Sequence, residues 1–120
     1  MAISITGGSV SPSTALSLNA QTGTTYTFVL TDANNTLVTA SNASAQTYTI
    51  PPNSSVAYPV GAQLNIIQIG AGQVSFAQGA GVTIASNGGT ATAPKLRTQY
   101  SSASAIKVAT DTWYVVGDIS

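Results

Sequence analysis

The chain has 120 residues, 43% of them apolar, and its carboxylates and cations are only Asp32, Asp111, Asp118, Lys95, Arg97 and Lys107. These charges cancel and make up 5% of the residues, against about 25% in an ordinary soluble domain. The length fits one domain, and the charge excludes phosphate-led nucleic-acid binding and electrostatic adsorption to a membrane, which both need clustered Lys or Arg.

A surface made of Ser, Thr, Asn, Gln, Ala and Gly is neutral and weakly repulsive. A free monomer without net charge tends to associate, so the composition predicts an assembled protein whose partners cover part of it. The absence of Cys removes disulfides and thiol chemistry. Met1 to Thr6 has neither a charged nor an apolar leader region, and no signal peptide is expected. The longest apolar run, Leu64 to Ile69, is far short of the roughly 20 residues of a spanning helix.

Residues 1–20 read as an extended N-terminal arm with a β-like piece from Ile3 to Thr6, then Gly7-Gly8 and Pro12. Residues 21–120 read as the folded domain. Thr25 to Thr31 alternates, with Tyr26, Phe28 and Leu30 on one face and threonines on the other, the period of a strand. Asp32 to Asn35 is a turn by composition. Leu37 to Ala40 and Gln46 to Ile50 are the next strands, with Tyr48 and Ile50 inward, and Pro51-Pro52 stops the second. Leu64 to Ile69 changes phase between Ile66 and Ile67, which predicts a bulge or a strand buried on both faces. Gln73 to Ala77 and Val82 to Ala85 follow, each after a Gly-Ala-Gly turn. This echo of Gly70-Ala71-Gly72 in Gly79-Ala80-Gly81 reads as two similar turns and not as a solenoid, which needs three repeats. Thr90 to Tyr100 is weakly patterned. Ala105 to Ala109 and Thr112 to Val116 form a hairpin around Thr110-Asp111. Short strands at such spacing predict an all-β fold, an antiparallel β-sandwich or barrel.

The chemistry-bearing side chains are scarce. His, Cys and Glu are absent, which removes the commonest general base, the thiol nucleophile and the usual zinc ligands. Asp111 and Asp118 flank the last strand, and seven extended residues span about 23 Å, beyond the roughly 5–9.5 Å of a glycosidase pair. Asp32 reads as the start of its turn. The three Asp are scattered, whereas a hard cation wants six or more converging oxygens. No enzyme activity, metal or cofactor is expected. The Gly-Ala-Gly turns lack the Gly-Lys-Ser/Thr ending of a phosphate loop. Tyr26, Phe28, Tyr48 and Phe76 have core phase. Tyr58 and Tyr100 fall in loop-like segments, and Trp113 and Tyr114 point to opposite faces of the last strand. These last four are the candidate interface or ligand contacts, since exposed aromatic faces stack on sugars or pack between subunits.

Three stretches carry a family resemblance: Ile50 to Gly61, Gln68 to Val74 with Gly81 to Ile84, and Asp111 to Ser120. In order and spacing the chain resembles the small β modules of tailed-bacteriophage virion proteins, which often end fibres or other surface proteins. The resemblance covers roughly residues 20–120. It implies a β-rich, trimeric module exposed on the virion surface and without catalysis, and it carries over no binding residues. Such modules often follow a long shaft, whereas here a 20-residue arm precedes the domain. That arrangement suits a capsid decoration (cement) protein that binds the major capsid protein and stabilises the assembled head. The alternative is a receptor-binding tip of a tail fibre that holds host surface glycans. A free carbohydrate-binding module is a third reading, without the enzyme or secretion signal that would accompany it.

Overall fold

The computed structural model describes residues 15–120. The Ile3–Thr6 piece and most of the arm lie outside the described residues. Within them the chain is almost entirely strand and turn, with one short 3-10 helix at Leu30–Asp32. The strands are β1 (Ser17–Gln21), β2 (Thr25–Thr27), β3 (Thr36–Ala40), β4 (Gln46–Ile50), β5 (Gln63–Gln68), β6 (Val74–Gln78), β7 (Thr83–Ala85), β8 (Ser102–Ala109) and β9 (Thr112–Gly117). A six-stranded sheet has the order β1-β3-β5-β8-β9-β7, and a three-stranded sheet the order β2-β4-β6.

The all-β class stands, but the predicted antiparallel pairing is corrected. The chain alternates between the two sheets, so consecutive strands never pair until β8 and β9. β3 lies parallel on β1 and β5 parallel on β3, while β4 lies parallel on β2 and β6 parallel on β4. The result is a coil of three rungs, β1/β2, β3/β4 and β5/β6. The two Gly-Ala-Gly segments are turns, one between β5 and β6 and one between β6 and β7, and the rungs repeat independently of that echo. The hairpin β8–β9 closes the stack: β8 runs antiparallel to β5 and to β9, and β9 runs parallel to β7. The outer edges of β1 and β2 carry no strand among the described residues.

The parallel register superposes like on like. Tyr26, Tyr48 and Phe76 occupy one column of the small sheet, and Phe28 packs beside them. The Tyr26 and Tyr48 rings lie 5.5 Å apart. On the opposite face Thr25, Thr47 and Ser75 form a hydroxyl column. In the large sheet Val38 opposes Ile66, and both are fully buried with Leu64, Ile84 and Leu96.

Three local readings change. Leu30 leaves the strand after Thr27 and is exposed in the 3-10 helix. β5 keeps its alternation without a bulge: Leu64, Ile66 and Gln68 point inward and Ile67 outward. Gln68 is tolerated inside because its side chain accepts from Val74 N (3.0 Å) and donates to Gly70 O (3.2 Å). The register shift falls in β8, between Lys107 and Ala109. Asp32, read as the start of its turn, ends the 3-10 helix and is buried. Its carboxylate accepts from Tyr26 Oη (2.6 Å), Asn19 Nδ2 (2.8 Å) and Val29 N (2.9 Å), which offsets the cost of burying a charge.

Burial, the hydrogen bond to Asp32 and the charge of Asp32 push the Tyr26 hydroxyl up to about 12, and burial alone pushes Tyr48 up to about 12. A phenol raised in the folded state stabilises the fold while protonated. That contribution is present below pH 10, the unfolded value, and is lost as pH rises through about 12. Circular dichroism is expected to show unfolding within that window; a spectrum unchanged beyond it contradicts the burial of these hydroxyls.

Candidate assembly surface

The four aromatic candidates divide into two pairs. Trp113 lies in the core with 1% exposure, opposite Ile84 on β7 and Lys107 on β8. Tyr58 is buried too: its ring meets Trp113 edge-on at 5.3 Å and its hydroxyl donates to Val29 O at 2.7 Å. Burial, with the nearby Asp32 and Tyr26, pushes that hydroxyl well above the ordinary range. In this fold Tyr58 and Trp113 are packing residues, which corrects their candidacy as contacts to an outside partner. A loop-like sequence around Tyr58 hid the fact that Val56 to Gly61 folds back over the core.

Tyr100 and Tyr114 are exposed, at 69% and 51%. Tyr100 stands alone before β8 with a left-handed backbone, φ 70°. Tyr114 belongs to a continuous surface, the outer face of the six-stranded sheet. Register aligns its rows. Leu18, Leu37, Asn65, Ser104 and Val116 cross the sheet in one line, and Ile106, Tyr114 and Ala85 in another. A third row contains Ala20, Thr39, Ile67 and Ser102. None of these residues carries a carboxylate, ammonium or guanidinium group. Leu18 and Val116 are more than half exposed. A polar stripe runs through the middle, where Ser104 Oγ donates to Asn65 Oδ1 at 2.7 Å and Gln63 Nε2 donates to the same oxygen at 2.9 Å.

Sequence reasoning found Tyr114 but missed Val116, Ile106, Leu37 and Leu18. The alternation Ile106, Val108 and Tyr114, Val116 was the available signal; what it lacked was the neighbouring strand that makes scattered residues a surface. At the β7 edge Ala85, Ser86, Asn87, Tyr114, Val115 and Val116 line a shallow groove of ≈ 460 Å³.

The charged side chains are not members of these rows. Arg97 Nε and Nη2 donate to the two oxygens of Asp118 at 2.8 and 3.0 Å. The bonds from Arg97 and from Ser101 Oγ hold the Asp118 carboxyl below its ordinary range, and the same pairing raises Arg97. Asp111 sits in the β8–β9 turn, at the other end of β9. Among the described residues no three His, Cys, Asp or Glu side chains converge. No family model, curated protein or solved structure matches the chain.

Proposed function

We propose that this chain is a virion structural protein, a decoration protein that binds and stabilises an assembled head through the outer face of its six-stranded sheet. The observation that carries the reading is that face: a broad, ion-free surface with Leu18, Tyr114 and Val116 exposed. Desolvating it removes no charge from water, so the penalty that usually opposes burial of a protein surface is small. Binding to the closed shell and not to the open one stabilises the shell by mass action.

Six strands of about five residues make a face of roughly 25 by 17 Å, or about 400 Å². That is about half of the ~800 Å² per partner of a standard interface. In the trimeric form of the proposal three such faces act together and gain avidity.

The test adds the purified chain to particles that lack it. Saturable binding in hundreds of copies and a higher bursting temperature are the expected results; a copy number near a dozen removes the proposal. Tyr114→Lys combined with Val116→Lys is expected to weaken shell binding at least tenfold, since each change buries an unpaired ammonium. Thermal unfolding of the free chain should change little, because both side chains are exposed.

A second reading is supported by the groove, where a tyrosine ring stands beside the polar side chains of Ser86 and Asn87. This suits stacking on a sugar and makes a fibre tip that recognises host glycans the alternative. Labelled protein that stains no host cell counts against it.

A further inference from the structure

We infer that two copies of the chain join end to end through the open edges of β1 and β2, in antiparallel pairs that share one twofold axis. Among the described residues no strand pairs with the outer side of either. Backbone groups alternate sides along a strand, so the bonds to the next rung show which groups face outward. Ser17 N donates to Asn35 O, and Gln21 O accepts from Ser41 N. Ser17, Asn19 and Gln21 therefore turn their backbone groups towards β3, and Leu18 and Ala20 turn theirs to the open edge. In β2, Thr24 O accepts from Thr47 N and Phe28 N donates to Thr49 O, which leaves Thr25 and Thr27 facing outward.

Each edge is its own complement. An antiparallel copy of β1 centred on Asn19 sets Leu18 opposite Ala20 of the second copy, and Ala20 opposite Leu18 of the second copy. Both are pairs of the kind that exchange two backbone hydrogen bonds. A copy of β2 centred on Tyr26 does the same with Thr25 and Thr27. One axis serves both edges, because Asn19 and Tyr26 face each other across the interior: Asn19 Nδ2 donates to Tyr26 Oη at 2.9 Å. Pairing both edges makes about eight backbone hydrogen bonds, near the roughly 10 direct ones of a standard interface.

The side chains fit the same arrangement. Edge strands are commonly guarded by a charged side chain, a proline or a bulge, and neither β1 nor β2 holds one. Tyr26 ends the aromatic column that Phe76 and Tyr48 begin and, unlike those two, is only partly buried. In the pair its ring lies against Tyr26 of the second copy, at the close position without hydrogen bonds where aromatic side chains stabilise a sheet. The outer faces of the two six-stranded sheets become continuous. The contact is isologous and closes at two copies, and it does not rest on the reading of the chain as a decoration protein. Threefold contacts made elsewhere on the surface would turn the pair into a hexamer, so the requirement is an even number of copies.

Light scattering of the full-length chain after size exclusion, beside the variant Ala20→Pro, tests this. Proline removes an outward N–H, which an edge strand tolerates, and leaves the bonds of Ser17 and Gln21 to the neighbouring rung in place. The parent is expected to hold an even number of copies and the variant half as many. A parent of one or three copies overturns the inference, and so does a variant with the mass of the parent. Should the variant fail to fold, hydrogen exchange of the parent decides. The amides of Leu18 and Ala20 are expected to exchange at least about tenfold more slowly in the assembly than in protein diluted until its mass has halved. Fast exchange in both states overturns the inference. Slow exchange that persists at one-copy mass also overturns it, because the chain's own residues then cover the edge.

Discussion

Replacing Trp113 by Ala is expected to cost about 4 kcal/mol and to lower the melting temperature by about 20 °C. Trp113 is the largest fully buried side chain and sits where β7, β8 and β9 meet. Its removal leaves the Tyr58 ring without its edge-on partner and opens a cavity that fixed strands on two sides cannot fill. Domains of this size have about 5–15 kcal/mol of stability in all, so the change removes a large share. Circular dichroism is the proper readout, since the substitution deletes the only tryptophan. A drop of a few degrees would mean that the hairpin does not pack as described.

The second large effect is expected at Gly72. A methyl group there would overlap the Ser44 carbonyl and come within 2.7 Å of the Asn42 carbonyl oxygen. Both belong to the corner of the preceding rung, which cannot withdraw: Gly72 N donates to Asn42 O at 2.8 Å and Gln46 Nε2 donates to Gly72 O at 3.0 Å. Gly72→Ala is expected to destabilise by on the order of 3 kcal/mol through forced separation of the rungs. Gly61→Ala separates sterics from backbone strain. That site has a φ of +93° and open space around it, so its cost comes from the left-handed backbone alone, about 1–2 kcal/mol. Urea midpoints should place Gly72→Ala clearly below Gly61→Ala. The reverse order would show that the corners of the coil are not in contact.

Most strands were legible because they are written in alternation, whereas β1, Ser17–Gln21, was not, since it lies across the end of the stretch read as an arm. Gln46 to Ile50 matches in full, and the turn at Thr110-Asp111 falls where the pattern breaks. The direction of pairing was not legible. A period of two says which side chains share a face, but it does not say whether the neighbouring strand is the next one in the chain or the next but one. Nor does a constant repeat length betray the coil: Ser17 aligns with Thr36, whereas Leu37 aligns with Asn65, because the loop between β4 and β5 is long. The burial of two polar side chains was not legible for a related reason. Asp32 and Lys107 look like surface residues until their hydrogen-bond partners, Tyr26 and Asn19 for one and Asn53 and Tyr58 for the other, are brought together from distant positions. The candidate surface was half legible: Tyr114 follows from alternation, while its rows exist only once five strands lie side by side.

The ion-free outer face has a consequence for the medium in which the molecule works. Dissolved ions weaken a contact by screening its charges, over about 10 Å at 0.1 M salt. A face built from Leu18, Leu37, Ile67, Ile106, Tyr114 and Val116 offers them nothing to screen. Whatever lies against it should be held with the same strength in dilute buffer and in brine, and acidification should not loosen it.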